Sequence, residues 1–218
     1  MVISPLEAYK RWSATYDATP NPITALESRL LSARLEFLPG QTFLDAGCGT
    51  GRWMTWASAR GLRAFGIDFC PDMIARAAAK VQHRCALADL LRLPFADNSF
   101  DTAICSFTVG YLSSIKQAMA ELSRVSRDVI VSDLHPEAIR QGWTRSFRTG
   151  TDSWEIAHHR YALSDLDEAA SRAGFTRRWR IEAPLGDPER GIFQRAGREA
   201  AFSASTAFPA VAITAWRK

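Results

Sequence analysis

Phe43-Leu44-Asp45-Ala46-Gly47-Cys48-Gly49-Thr50-Gly51-Arg52-Trp53 reads as a short apolar strand, a tight glycine turn and the first residues of a helix. Glycines at 47, 49 and 51 leave no side chains where the backbone bends, so a ligand can approach the main-chain N–H groups closely. Asp45, at the end of the strand, can accept a hydrogen bond from a cationic or hydroxyl group of that ligand.

Outward from this turn the pattern alternates. Strands are predicted over residues 42–46, 62–67, 84–88, 100–107 and 129–133, with helices over 51–60, 71–81 and 115–125 between them. Such alternation implies an α/β fold with a parallel sheet covered on both faces. A helix capped by Ser164 runs to Ala173 and stops at Gly174. Strands at 175–183 and 208–216, joined by an irregular insertion over 186–199, suit an antiparallel pair at the sheet edge. Before the sheet, Pro5 to Tyr16 reads as a helix carrying Leu6, Tyr9, Trp12 and Tyr16. That stripe either packs on the main domain or forms a lid over a ligand. Asn21 and Pro22 start a second helix to about Phe37, ended by Pro39-Gly40. Residues 1–38 are therefore read as a helical lid. The alternation breaks over residues 134–163, where Trp143, Phe147, Trp154, Tyr161 and the His158-His159 pair lie among arginines; this stretch is too aromatic for a free linker and reads as a small cap.

Composition narrows the class. The chain of 218 residues suits one large domain, with 47% hydrophobic and 23% charged residues as in ordinary globular proteins. No run of 18 apolar residues predicts a membrane span, and Met1 to Glu7 lack the basic and apolar regions of a signal peptide. A net charge of +4 is too mild to argue for nucleic acid. Cys48, Cys70, Cys85 and Cys105 have no C-x-x-C spacing, so neither a metal site nor a disulfide framework is expected, and reduced thiols suit a cytoplasmic protein.

In an open parallel sheet, ligands bind beyond the carboxyl ends of the strands. The candidates are thus Gly47 to Gly51, then Asp68, Asp89, Ser106 with Phe107, and Asp133 with His135, each just past a strand. Asp68 lies about 20 residues beyond the turn, the distance at which an acid reaches a ribose diol. A dinucleotide site requires G-x-G-x-x-G and an anion-friendly helix start. Here the spacing is G-x-G-x-G, and Asp45 is a poor neighbour for a pyrophosphate but suits an amine.

The segments 44–51, Asp68, Ala88-Asp89 and 93–101 together resemble the class I S-adenosylmethionine-dependent methyltransferases, in the small-molecule branch of the ubiquinone/menaquinone-biosynthesis and malonyl-carrier enzymes (type 11). Tyr9 to Asp17 is similar to that branch's lid, and the likeness covers roughly Tyr9 to Asp133. It implies a Rossmann-like, doubly wound, mostly parallel seven-stranded sheet with an antiparallel last strand. It also implies roles. Gly47, Cys48 and Gly49 border the methionine part of S-adenosylmethionine, and Asp45 holds its amino end. Asp68 binds the ribose hydroxyls, Phe69 and Met73 flank the adenine, and Asp89 and Leu90 read the adenine edge. Ser106 and Phe107 line the pocket near the methyl, and Tyr16 covers the carboxylate end. Asp101, before the fourth strand, is structural.

The implied reaction is in-line displacement at the sulfonium methyl, leaving S-adenosylhomocysteine, with no metal. The acceptor is a small organic molecule, aromatic or amphipathic to suit the cap, methylated on O, N or C; the protein is a monomer or homodimer. If a base is needed, His135 is the first candidate, since it follows the fifth strand; His158, Tyr161 and Tyr111 come next. The bland alternative for His135 is a structural hydrogen bond under the cap.

Several other transferases are disfavoured. Cys105-Ser106-Phe107-Thr108 stands where base N-methylation uses an Asp/Asn-Pro-Pro-aromatic run. Cys105 lies inside an apolar strand and reads as an inert thiol, not a nucleophile. Arg140, Arg145 and Arg148 can grip phosphate or carboxylate, or solvate the cap. They keep an RNA- or protein-directed methyltransferase as an alternative, beside a non-catalytic cofactor-binding regulator.

Overall fold

The computed structural model describes residues 1–81 and 84–218. In chain order the elements are β1 (Val2–Ile3), α1 (Pro5–Trp12), α2 (Pro22–Ser32), β2 (Thr42–Ala46), α3 (Arg52–Ser58), β3 (Arg63–Asp68), α4 (Pro71–Lys80), β4 (Cys85–Leu87) and β5 (Phe100–Ser106). A 3-10 turn (Val109–Tyr111) precedes α5 (Ile115–Val125), β6 (Ser126–Leu134), α6 (Pro136–Arg140), β7 (Ser146–Thr149) and β8 (Asp152–Ile156). The chain closes with α7 (Leu163–Arg172), β9 (Thr176–Ala183), α8 (Asp187–Arg195), α9 (Glu199–Ser205) and β10 (Val211–Arg217).

The main sheet has seven strands in the order β4-β3-β2-β5-β6-β10-β9. β2 pairs in parallel with β3 and β5, β3 with β4, and β5 with β6. β10 is antiparallel to both β6 and β9, so the last strand inserts between its predecessors and β9 becomes the edge. Strand order reverses between β2 and β5, which places the glycine turn at the crevice where open α/β sheets take ligands.

Strands buried on both faces serve two cores, because successive side chains point to opposite sides. Leu44, Ala103 and Val129 join Met119 and Leu122 of α5 and Leu166 of α7 in one cluster. Phe43, Ile104 and Ile130 join Leu26 of α2, Met54 of α3 and Phe202 of α9 in the other. At the opposite end of the strands, Asp101 accepts from the Thr42 amide (2.9 Å) and hydroxyl (3.0 Å), which ties β5 to β2 and fits its structural reading.

Several sequence-based boundaries are corrected. The first helix ends at Trp12, with Ser13 as C-cap, and Tyr16 lies in the following turn. The second ends at Ser32, because Phe37 turns inward to meet Phe43 and Trp56 edge-on. Ser164 does not cap α7: Ala162 is the N-cap residue, and Asp165 accepts from its amide at 2.8 Å. Residues 186–199 are not irregular. They hold α8 and the start of α9, because Glu189 reaches back to the Gly186 amide (3.0 Å) and pairs with Arg29 of α2 (2.9 Å).

The stretch 134–163 contains α6 and the β7–β8 hairpin, whose strand β8 takes up β1 in parallel to form a separate three-stranded sheet. Ala8 and Trp12 of α1 pack there with Phe147, Trp154 and Ile156. Trp12 stacks on Phe147 at 4.9 Å between centroids. The aromatic stripe thus packs on the cap and not on the main sheet, and Tyr9 and Tyr16 remain at its inner edge.

Candidate active site

The turn after β2 is built on left-handed backbone, with φ of +87° at Gly47, +54° at Gly49 and +86° at Gly51, conformations that favour glycine. Gly47 is doubly required, since a Cβ there would lie 2.3 Å from Thr108 Oγ1. The turn closes a narrow cavity of about 60 Å³ lined by Tyr9, Tyr16, Asp45, Cys48, Arg52, Asp68, Phe69, Ser106, Phe107 and Tyr111, among others.

Asp45 sits at the floor, 1% exposed, and its Oδ2 has no hydrogen-bond partner among the described residues. Burial pushes its carboxyl up to about 7; Arg52 opposes the shift, and the nearby Glu27 and Asp68 add to it. Asp68 accepts from the Gly49 amide (2.8 Å) and the Cys70 amide (2.9 Å), so it braces the turn as it lines the cavity. Burial raises its carboxyl, and those amides work the other way.

Arg52 follows the turn as the first residue of α3. Its Nη2 donates to Glu27 Oε2 (2.5 Å) and to Ser106 Oγ (3.0 Å), and its Nη1 to Ser28 Oγ (2.5 Å). Glu27, on α2, is wholly buried and also accepts from Ser106 (2.7 Å) and Ser132. Asp17 fastens the segment before α2 to the turn, taking bonds from Thr50 Oγ1 and Lys80 Nζ, each 2.6 Å. Sequence reading assigns no site role to Arg52 or Glu27. A basic residue immediately after the glycine turn is the one available signal; Glu27 gives none, because its partners lie 25, 79 and 105 residues away.

Phe107 is a second backbone outlier, non-glycine at φ +52°. Its amide donates to Ser132 O (2.8 Å) and its carbonyl accepts from Arg145 Nη1 (3.0 Å), which hold the strained residue at the end of β5. Phe107, Tyr9, Tyr16 and Tyr111 form a shared wall with a wider cavity of about 450 Å³ beneath the cap, α2 and α8–α9. Tyr9 donates its hydroxyl to Tyr111 Oη at 2.9 Å. Burial drives the Tyr9 hydroxyl well above its ordinary value and that of Tyr16 up to about 12.

The structure therefore gathers Tyr16, Asp45, Gly47, Cys48, Gly49, Asp68, Phe69, Ser106, Phe107 and Tyr111 around one cavity. It does not bring Met73, Asp89, Leu90, His135 or His158 to it. Met73 and Leu90 are buried at 1% and 4% exposure, Leu90 within the core that α5 covers. Asp89 is exposed and spends Oδ1 on the Leu91 amide (2.9 Å), closing the turn after the short edge strand β4.

His135 caps α6. Its Nδ1 accepts from the Glu137 amide (2.9 Å), which leaves the ring proton on Nε2, facing Glu182 at 2.9 Å. Both nitrogens are used outside the cavities, so the expectation that His135 faces the pocket is overturned and its structural reading holds. His158 Nδ1 lies 2.9 Å from Ile156 O, and its Nε2 is buried without a partner among the described residues, away from both cavities. His159 stacks on Tyr161, whose hydroxyl donates to Leu112 O at 2.8 Å. Cys105 is fully buried, and burial raises its thiol, which suits an inert thiol. The three cap arginines separate: Arg140 is exposed and paired with Glu137, Arg148 is exposed, and Arg145 is buried against Asp133.

Residues 44–129 match the family model described as "Methyltransferase domain". The matched segment carries the turn, Asp45, Asp68, Ser106 and Phe107, and leaves out α1, α2, the cap and α8–α9. The chain is 34% identical over 121 residues to malonyl-[acyl-carrier protein] O-methyltransferase of Serratia marcescens, covering 55% of this chain and 47% of that protein. It is 39% identical over 90 residues to demethylmenaquinone methyltransferase of Roseiflexus sp. (strain RS-1), covering 38% and 37%. The chain thus spans about half or less of the length of these curated relatives. In three dimensions it resembles the S-adenosylmethionine-dependent methyltransferase of Mesorhizobium loti, with a TM-score of 0.70 at 21% identity over 91% of this chain and all of that one. At that identity the likeness is one of fold.

Proposed function

We propose that this protein transfers a methyl group from S-adenosylmethionine to a small organic acceptor. The observation that carries the reading is Asp45 Oδ2: a buried carboxyl oxygen with no partner among the described residues, at the floor of a cavity bounded by a glycine turn. An α-ammonium is the ligand group that would satisfy it, and Arg52, at the same wall, suits the α-carboxylate of the same amino-acid end. Asp68 keeps lone pairs for a ribose diol beside the two amide bonds it accepts. Phe69, 37% exposed at the rim, offers a face to a base.

When bound, S-adenosylmethionine supplies a methyl already activated by its sulfonium. The chain's own work is then to bind, align and exclude water. Asp45 and Arg52 fix the amino-acid end, Glu27 and Ser106 hold Arg52 in place, and strained Phe107 and Tyr111 shape the passage to the wider cavity. A cavity of about 60 Å³ is far below the several hundred Å³ of ordinary ligand pockets, so entry of the donor requires Tyr16 and α1 to move aside. That movement is the lid function of the N-terminal helices. A small acceptor is supported by the enclosed aromatic cavity and by relatives named for malonyl-[acyl-carrier protein] and demethylmenaquinone. Among the described residues no helix is long and apolar enough to cross a membrane. The four free cysteines suit a reducing cytoplasm.

Isothermal calorimetry with S-adenosylhomocysteine tests the reading. Wild-type protein binds it at micromolar or better affinity and Asp45→Asn weakly; absence of binding by the wild type overturns the assignment.

A further inference from the structure

Resting on that reading and deepening it, we infer that the lid is one hinged body made of β1, α1 and the β7–β8 hairpin, latched by Asp17, so that a single movement opens both cavities. The contacts within this body differ in kind from those along its seam with the rest of the chain.

Within the body the joins are apolar and laddered. β1 leads into α1 through Ser4 and pairs with β8, where the Glu155 amide donates to Met1 O and the Ala157 amide to Ile3 O, each at 2.9 Å. Ala8 and Trp12 of α1 share a buried core with Phe147, Trp154 and Ile156. The Arg11 guanidinium lies over the Trp154 ring at 4.3 Å. Peeling α1 from the hairpin would wet that aromatic core and break the β1–β8 ladder at once. The segment after α1 goes with it: Trp12 Nε1 donates to Thr19 Oγ1 (3.3 Å), and Tyr16 meets the Trp12 ring edge-on at 4.7 Å. Of the two N-terminal helices only α1 belongs to this body. α2 stays with the main sheet, because Leu26 lies in its core and Glu27 is buried against Arg52, Ser106 and Ser132.

The seam is polar and lighter. At its outer edge Asp17 accepts from Thr50 Oγ1 and Lys80 Nζ, and Lys80 Nζ also donates to Thr50 O (3.0 Å). The Lys80 and Asp17 side chains are 40% and 50% exposed, so water replaces their pairing at little cost. At its inner edge the Tyr9 hydroxyl meets that of Tyr111. The pivots lie where the chain rejoins the main domain: Pro20-Asn21-Pro22, Arg145 held by Asp133 and the Phe107 carbonyl, and His159, whose amide donates to Gly110 O at 2.7 Å. Tyr9 and Tyr16 line both cavities, and Trp12 and Phe147 the wider one, so one swing of the body uncovers the two together. Asp17 and Lys80 line neither of them and therefore act on the movement and not on a ligand. Spent donor and methylated product then leave through the same opening.

Stopped-flow tryptophan fluorescence of the full chain with S-adenosylhomocysteine tests the latch, with Trp53 of the narrow cavity as reporter. Asp17→Asn and Lys80→Met should each raise the association and dissociation rates about three- to fivefold. Kd should stay nearly constant, because the clasp is the same with the cavity empty or filled. Added salt should speed the wild type toward the variants and leave the variants unmoved. A merely destabilised fold would bind more weakly without associating faster; that result, or unchanged association in both variants, overturns the latch. Amide exchange by NMR tests the single body. The Glu155 and Ala157 amides of Asp17→Asn should keep wild-type protection; exchange quickened by the same factor as association would mean that α1 opens alone, which overturns the inference. Failure of the wild type to bind S-adenosylhomocysteine instead overturns the methyl-transfer reading, so the two failures are told apart.

Discussion

The two cavities that meet at Phe107 and Tyr111 are built in opposite ways. The narrow one draws most of its polar groups from a short length of chain, residues 45–69, and the end of β5, each group just past a parallel strand. The wider one is assembled from α1, the turn before α2, the end of β6, the cap and α8–α9, pieces spread from residue 9 to residue 205. One follows from strand topology and backbone conformation; the other depends on how separate helices and a hairpin pack against each other. The family model covers the first apart from Tyr9 and Tyr16 and leaves most of the second outside it. In the proposed reaction the local part would take the donor and the dispersed part the acceptor.

Glu27, on α2, braces the narrow one through Arg52 and Ser106, and its removal should break the contrast most sharply. Glu27→Ala leaves Arg52, Ser106 and Ser132 without their common partner, and loss of a buried ion-pair partner costs about 3 kcal/mol. A lowered urea midpoint together with weaker S-adenosylhomocysteine binding is expected. An unchanged midpoint would show that Arg52 repairs itself locally.

Asp45→Asn should come next, with affinity for S-adenosylhomocysteine reduced about 10–100-fold, the worth of a charge-assisted bond of about 1.5–3 kcal/mol. pH provides a companion readout. An unfolded Asp titrates near 3.9 and folded Asp45 at about 7, so its contribution to ligand-free stability is greatest below about pH 4 and is lost as pH rises to about 7. An ammonium partner favours the ionised form, so binding near pH 6 should release protons, seen as a dependence of calorimetric heat on buffer. The Asp45→Asn variant should lack that dependence; its persistence would move the proton to another group.

Smaller effects are expected outside the cavities. His135→Ala removes the cap of α6 and should cost about 1 kcal/mol in thermal or urea unfolding, with turnover and donor affinity unchanged. A fall in turnover without loss of stability would return His135 to the chemistry. Arg140→Ala should change neither melting nor S-adenosylhomocysteine binding, since its side chain is 74% exposed; a lowered urea midpoint would show that its pair with Glu137 supports α6.

Much of the narrow cavity was legible in the sequence for a physical reason. Left-handed glycines, a strand-terminal carboxylate and an acid at the next strand's end are set by local backbone geometry and by the side of the sheet where strands terminate. The same rule placed Asp89 and His135 at strand ends without fixing where their side chains turn. Each lies just past a strand, but each side chain closes its own local hydrogen bond, Asp89 to the Leu91 amide and His135 to the Glu137 amide. Position at a strand end says where a residue is, not which way its side chain turns. Helix α8 was hidden because Gly191 and two arginines interrupt its pattern, and because Glu189 finds Arg29 far away in the chain; α9 is only seven residues long.

The sequence by itself determined the alternating α/β plan, the end of the sheet where the cavity opens and the glycine turn that borders it, since all three rest on periodicity, glycine conformation and chain direction. Only the tertiary structure decided that Arg145 is buried while Arg140 and Arg148 face solvent, that Glu27 holds Arg52, and that the aromatic stripe of α1 packs on the cap. Those outcomes depend on burial and on partners far apart in the chain, which local sequence does not encode.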